Sequence, residues 1–356
     1  MLLEENKPLA PFTTLGIGGP ARWFTKADSE EDVVEAAAWV REKDVQLFVL
    51  GGGSNILVSD AGFDGLVLQI GIQGVTKMGS EHSTAAGYQV AAGEDWDSFV
   101  ERTVGDNCAG LECLAGIPGT VGGTPVQNVG AYGQEVATAI ERVRAFDLKD
   151  HSYVEFVTEE CGFAYRQSRF NTTDKGRYVV TRVDYRLIRG GAPTLRYVDL
   201  QRAFAENPKP SLKEVAAEVR QIRRSKGMLL QDGDPDCRSA GSFFKNPVVP
   251  EELVQRISLN IGKQPPQFPA GQGKGNEGRV KIPAAWLIEQ AGFVKGHSLG
   301  AAGISQLHTL ALINRGGATA DEILALAGQI KSAVAELFGI SLEMEPVMVG
   351  FGSSTL

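Results

Sequence analysis

The chain has 356 residues, 43% of them hydrophobic and 22% charged, with a formal net charge of −8. Single hydrophobic cores stop growing at about 250–300 residues, so two or three domains or subdomains are expected. The acidic balance excludes a general nucleic-acid binder, which needs a basic face, but leaves room for a local basic pocket that holds an anionic small ligand.

The N-terminal stretch MLLEENKPLAPF lacks an apolar signal core, and no apolar run reaches the roughly 18 residues of a membrane span. A soluble cytoplasmic protein with no membrane partner is expected. Glycine is the compositional outlier at 43 residues, with clusters in LGIGGPA (15–21), LGGGSN (50–55) and AGIPGTVGGTPVQNVGAYG (115–133). Gly16, Gly18 and Ala21 formally match a dinucleotide fingerprint, but neither a hydrophobic strand before them nor a helix after them is in place. Residues 29–44 read as a helix opened by Ser29 and Asp32, with Val33, Ala36, Ala37 and Val40 as its apolar stripe. A buried strand, 45–50, then runs directly into Gly51, Gly52 and Gly53. Bare backbone amides there, with Ser54 and Asn55 adding donors, suit a diphosphate cradle. A second strand covers 64–70, and a β-rich middle ends in the long strand 177–189. The 115–133 loop has six glycines and two prolines, and the two glycine loops together suggest one long phosphorylated cofactor lying across both.

The character changes near residue 210. Residues 211–226 read as a helix whose basic end, with Arg223 and Lys226, complements the helix dipole. A short helix covers 283–292, and TLALIN (309–314) reads as a strand. A long helix over 319–339 carries a Thr319–Glu322 capping box and an apolar stripe of Ile323, Leu326, Ile330, Val334 and Leu337. The stretch 262–279, rich in Pro and Gly, is expected to be a loop or mobile insertion.

Four cysteines, Cys108, Cys113, Cys161 and Cys237, form no C-x-x-C pair and read as reduced thiols, with no metal site expected. His82, His151, His297 and His308 are too scattered for a metal or a triad. Ser242, in AGSFFKNP, therefore lacks the base that a nucleophilic serine needs.

The order of GGGSNILVSDAGFDGLVL, GLECLAGIPGTVGGTPVQNVGAYGQEV, FAYRQSRF (163–170), AGSFFKNP (240–247), RVKIPAAWLIEQAGF (279–293) and LEMEP (342–346) resembles the UDP-N-acetylenolpyruvoylglucosamine reductase family across nearly the whole chain. The resemblance implies an α+β protein: a two-part FAD-binding region of the vanillyl-alcohol-oxidase (PCMH) type and a C-terminal α+β substrate-binding domain. The implied boundaries are 1–70 for the first FAD subdomain, joined by the tail 346–356, then 71–210 for the second, and 211–345 for the substrate domain. The last strand, within 342–349, would pack back on the N-terminal half.

The implied reaction uses non-covalent FAD and NADPH to reduce the enolpyruvyl ether of a UDP-sugar to UDP-N-acetylmuramate in bacterial peptidoglycan synthesis, the protein acting as a monomer. By motif, Ser242 is the proton donor, and Arg166 and Glu345 flank the substrate carboxylate. Gly51, Gly52, Gly53, Ser54, Asn55, Gly116, Ile117, Pro118, Gly119, Gly122, Gly123, Asn128, Gly130, Ala131 and Tyr132 would line FAD. Tyr132, Tyr165, Tyr197, Lys226 and Asn246 would meet substrate, with Tyr197 covering the uridine diphosphate. The family's arginine after the glutamate is absent here, where Pro346, Val347 and Met348 follow.

Hydride addition to an enol ether builds negative charge on the alpha carbon and its carboxylate, which Arg166 suits as a permanently charged fork. Glu345 fits beside an anion if it is protonated and donates a hydrogen bond. The intermediate is a strong base, so a serine hydroxyl with no histidine suffices as its acid, and Lys245 or Lys226 would steady the alkoxide. His308 is a further candidate for the site lining. The rival reading is another FAD oxidoreductase of this framework acting on an alcohol or sugar. Such enzymes often hold flavin covalently through His or Cys, and here only Cys113 is near the loops. A non-catalytic nucleotide-sugar binder is a third possibility.

Overall fold

The computed structural model describes residues 1–80, 83–231, 233–270 and 277–352. His82 and residues 271–276 of the expected 262–279 loop lie outside the described residues. In chain order the elements are β1 (Glu4–Pro8), β2 (Pro20–Ala27), α1 (Glu30–Lys43), β3 (Gln46–Leu50), β4 (Ile56–Val58), β5 (Phe63–Ile70), β6 (Val75–Met78), β7 (Ala85–Ala91), α2 (Trp96–Gly105), β8 (Cys108–Ala109), β9 (Gly130–Ala131), β10 (Gln134–Glu135), β11 (Ile140–Asp147), β12 (Ser152–Val157) and β13 (Tyr178–Arg189). They continue with α3 (Val198–Ala203), α4 (Leu212–Ser225), β14 (Val248–Pro250), α5 (Glu251–Ile261), β15 (Phe268–Pro269), β16 (Arg279–Lys281), α6 (Ala284–Gln290), β17 (Ser298–Leu299), β18 (Ala302–Ile304), β19 (Leu312–Asn314), α7 (Ala320–Phe338) and β20 (Val347–Val349).

Two compact units form. The first comprises Met1–Lys7, Pro20–Gly53 and Phe63–Ser225; the second comprises Pro8–Gly19, Ser54–Gly62 and Lys226–Leu356. In the first unit, β1, β2, β5 and β3 make a four-stranded sheet in that order, with β5 parallel to both β2 and β3. α1 covers it through Val33, Ala36 and Ala37, all buried. Its start is fixed locally: the Ser29 hydroxyl accepts from Asp32 N, and Asp32 Oδ2 accepts from Ser29 N. An antiparallel sheet follows in the order β12-β11-β13-β7-β6, and β8 pairs with β13. Its core holds Trp96, Tyr88, Tyr185 and Phe146, all at most 2% exposed. The expected boundary at 210/211 falls just before α4, and α4 packs on α2, α3 and the 112–114 turn of this unit.

The second unit has its own core, built around Phe243, Phe244, Leu287, Ile304, Leu312 and the inner face of α7. The α7 cap is as the sequence reads: Thr319 Oγ1 accepts from Glu322 N, and Glu322 Oε2 accepts from Thr319 N. Its stripe needs one correction. Ile323, Leu326, Ile330 and Val334 are buried, but Leu337 is 45% exposed and Phe338 takes the expected place. The four-residue step from Val334 keeps position 338 on the inner face, and position 337 lies a hundred degrees earlier around the helix.

The first glycine cluster is explained by close packing within this unit. A Cβ on Gly18 would sit 2.8 Å from Val58 Cβ, and one on Gly19 would sit 2.2 Å from Asp60 O. Asp60 in turn accepts from Ala320 N and Asp321 N at the start of α7. β20 pairs in parallel with β4, Val347 opposite Ile56, so the last strand lies against the segment that follows GGGSN. Among the described residues, no helix is long and apolar enough to cross a membrane.

Candidate active site

In the first unit, the 116–124 loop is pinned along residues 92–96. Trp96 N donates to Gly119 O at 3.1 Å, Val121 N to Glu94 O at 2.9 Å and Gly122 N to Ala92 O at 2.8 Å. The core holds it from beneath: the Trp96 indole donates to Leu114 O, and Tyr185 and Thr124 share a buried hydroxyl pair at 2.9 Å. The two glycine loops then touch. A Cβ on Gly51 would lie 2.9 Å from Thr120 Oγ1, and one on Gly52 would lie 2.5 Å from Gly119 Cα. Two bare backbones thus meet with no room for a side chain between them.

The far end of the loop is strained where it carries candidate residues. Asn128, Tyr132 and Arg166 adopt left-handed backbone, with φ of 46°, 49° and 57°. For residues with a Cβ this conformation is uncommon, and it persists only where the surroundings impose it. Asn128 is 1% exposed, and its side chain faces inward: Nδ2 donates to Glu135 Oε2 and Ala164 O, both at 3.0 Å, and Oδ1 accepts from Ala137 N. It thereby locks the loop to the Tyr165–Arg166 turn, closed by paired bonds between Ala164 and Gln167. Arg166 Nη2 donates to Gly130 O at 2.7 Å, and its guanidinium lies 5.3 Å from the Tyr165 ring. Tyr132 and Tyr197 meet edge-on, with ring centroids 5.2 Å apart. Tyr197 is 37% exposed.

Arg223, read from sequence as a helix-dipole partner, is 8% exposed, and its Nε donates to Gly116 O at 2.9 Å. Burial pulls its pKa below the ordinary arginine value, and Tyr132 and Asp97 oppose that pull. No sequence pattern announces this contact, because its partner lies 107 residues earlier. Cys113 is fully buried, and its thiol donates to Thr194 O at 3.2 Å. Burial pushes its pKa far up, so it is a poor point for covalent flavin attachment. All four cysteines are free and buried.

In the second unit, Ser242 is half-buried between Gly241, at φ 71°, and the buried Phe243–Phe244 pair. Phe243 N donates to Leu310 O at 2.8 Å. On the other side, Glu345 N donates to Phe243 O and Lys245 N to Glu343 O, both at 2.9 Å. Phe244 thus faces Met344, and Glu345 stands opposite the residue next to Ser242. Asn55 braces this pair: its Nδ2 donates to Glu345 O at 3.3 Å, and its O accepts from Val347 N at 3.0 Å. Thr14 Oγ1 reaches both Ser54 O and Ser239 O. Asn246 Oδ1 caps α6 through Ala284 N at 2.8 Å. Lys245 Nζ pairs with Glu343. His308 is largely buried; burial, then Lys226 and Lys295, pull its pKa down to about 4. Among the described residues, no group of three His, Cys, Asp or Glu is placed to hold a metal ion.

These two loops on a mixed framework define a flavoprotein oxidoreductase, and residues 21–154 match the FAD binding domain family. Residues 234–349 match the UDP-N-acetylenolpyruvoylglucosamine reductase C-terminal domain family. The UDP-N-acetylenolpyruvoylglucosamine reductase of Thermobifida fusca is 44% identical over 97% of this chain and 98% of its own length. That of Streptomyces coelicolor is 44% identical over 97% of this chain and 90% of its own. The crystal structure of the Thermus caldophilus reductase superposes with a TM-score of 0.66 at 27% identity, covering 98% of this chain and all of that one. The chain belongs to the UDP-N-acetylenolpyruvoylglucosamine reductase family. The α+β fold with an FAD-binding region of the vanillyl-alcohol-oxidase type is as read from the sequence, and FAD is its cofactor.

Proposed function

We propose that the protein reduces UDP-N-acetylglucosamine enolpyruvate to UDP-N-acetylmuramate for peptidoglycan, in the bacterial cytoplasm and as a monomer. Bound FAD supplies, after reduction by NADPH, the hydride for the enolpyruvyl methylene carbon. Arg166, held by Gly130 O and Tyr165, offers its guanidinium to the substrate carboxylate, where charge accumulates. Glu345, in protonated form, donates to the same carboxylate. Ser242 gives its hydroxyl proton to the alpha carbon, and Lys226 holds the diphosphate. Tyr197 closes over the nucleotide, and Asn246 orients the sugar from the start of α6. The three-part division at 70, 210 and 345 follows ligand role, two parts for FAD and one for substrate, except that α4 packs with the FAD part.

The observation that carries this reading is the pairing of 243–245 with 343–345, which sets the carboxylate-bearing residue opposite the neighbour of the hydroxyl-bearing one. Family membership supports it. The test separates the half-reactions by stopped flow. Ser242→Ala is expected to bleach the flavin with NADPH at the wild-type rate, while reoxidation by the enolpyruvyl substrate slows by about 10²–10⁴-fold. Slow bleaching in a folded, FAD-loaded variant with normal reoxidation would reverse the assignment.

A further inference from the structure

The loop from Gly116 to Tyr132 is held at both ends by one buried side chain. Gly116 N donates to Asp97 Oδ1 at 2.6 Å, and Gly116 O accepts from Arg223 Nε at 2.9 Å. Asp97 sits in the first turn of α2 and Arg223 in the last turn of α4. Arg220, one turn before Arg223 on the same face, clamps Asp97 with two bonds of 2.8 and 3.2 Å. Arg223 also hydrogen-bonds the Tyr132 side chain, and Tyr132 carries Tyr197 on its ring. Both peptide groups flanking Gly116 are therefore fixed by α2 and α4, and so is the strained residue at the loop's other end.

The plainer account is that a basic residue ends a helix because the dipole favours it. That account leaves the charge in water. Here it is buried, and its Nε bonds a carbonyl of another element. A buried guanidinium is costly unless its planar donors are matched, so the matching is a structural commitment.

We propose that Arg223, braced by the Arg220–Asp97 pair, is a positioning residue of the FAD site that sets Gly116 and Tyr132 in their cofactor-holding geometry before FAD arrives. The proposal rests on the 115–133 loop being an FAD loop. The wild-type titration tests that premise by itself, and the variant-to-wild-type ratio tests the role of Arg223.

The experiment titrates FAD into apoprotein, followed by flavin fluorescence, with Arg223→Lys, Tyr132→Phe and the double variant. Lysine keeps the charge but cannot reach both partners. Its FAD affinity is expected to fall about 10–100-fold, as for loss of charged hydrogen bonds. Tyr132→Phe is expected to weaken binding less, and the double variant to be no weaker than Arg223→Lys. Hydrogen exchange of the apoprotein supplies a second readout: Arg223→Lys and Arg220→Lys should speed exchange at residues 114–132. Arg220 is partly exposed, so its variant keeps the test open if Arg223→Lys does not fold. A purely structural role predicts lowered Tm with independent, additive losses. FAD binding within twofold of wild type, additive effects, or unchanged loop exchange would overturn the proposal.

Discussion

Gly52→Ala adds one carbon where the structure has no room for it. That Cβ would stand 2.5 Å from Gly119 Cα and 2.9 Å from Gly119 C, both backbone atoms. Carbon atoms rest about 3.5–4.0 Å apart, so the two loops must separate by roughly 1 Å. The second loop cannot drift freely, because Gly119 O and the amides of Val121 and Gly122 are bonded to residues 92–96. Overpacking of this kind costs about 1–3 kcal/mol. If the apoprotein relaxes by parting the loops, the closed geometry must be recovered on binding, and FAD affinity falls about 5–150-fold at 1.4 kcal/mol per decade. If the loops do not part, the same strain lowers Tm. Isothermal titration with FAD and thermal unfolding of the apoprotein measure the two shares. Gly105→Ala, at the end of α2, where nothing lies within 4 Å of the new carbon, is the control. A Gly52→Ala protein with both wild-type Tm and wild-type FAD affinity would refute the account of the two loops as backbones in contact.

The remaining predictions concern the second unit. His308 has a folded pKa of about 4 against an ordinary value of 6.5, so the unfolded chain binds the extra proton between those values. Stability is therefore expected to fall as pH drops from 6.5 to 4, by about 3 kcal/mol from this group. His308→Gln should flatten that part of the profile in urea unfolding at fixed pH, and an unchanged slope would refute it. Ile330→Ala, at a fully buried position, should cost about 2–5 kcal/mol, whereas Leu337→Ala should stay within about 0.5 kcal/mol. Equal effects in the same unfolding assay would contradict the assigned inner face of α7.

What the sequence determined by itself is local. The capping boxes of α1 and α7 need only residues three apart, and the structure has both. The glycine loops were legible because backbones in close contact exclude side chains, and that exclusion is written in composition. Ser242 was legible as an acid needing no histidine only through its motif. α2 and α5 carry apolar stripes of the same kind, Trp96, Phe99, Val100 and Val104 in one and Val254 and Ile257 in the other, so their helical pattern is local as well.

The tertiary structure decided what depends on distant partners. Leu337 and Phe338 are adjacent apolar residues, and only packing selects which one turns inward. Asn55 and Asn128 read as cofactor donors, yet their side-chain amides bond Glu345 O and the Ala164 turn. Arg223 reads as a helix end, and folding buries it against Gly116. In each case the side chain's chemistry is visible in one dimension, whereas its partner is chosen by burial, which removes water as the alternative and leaves only the groups that the fold brings within reach.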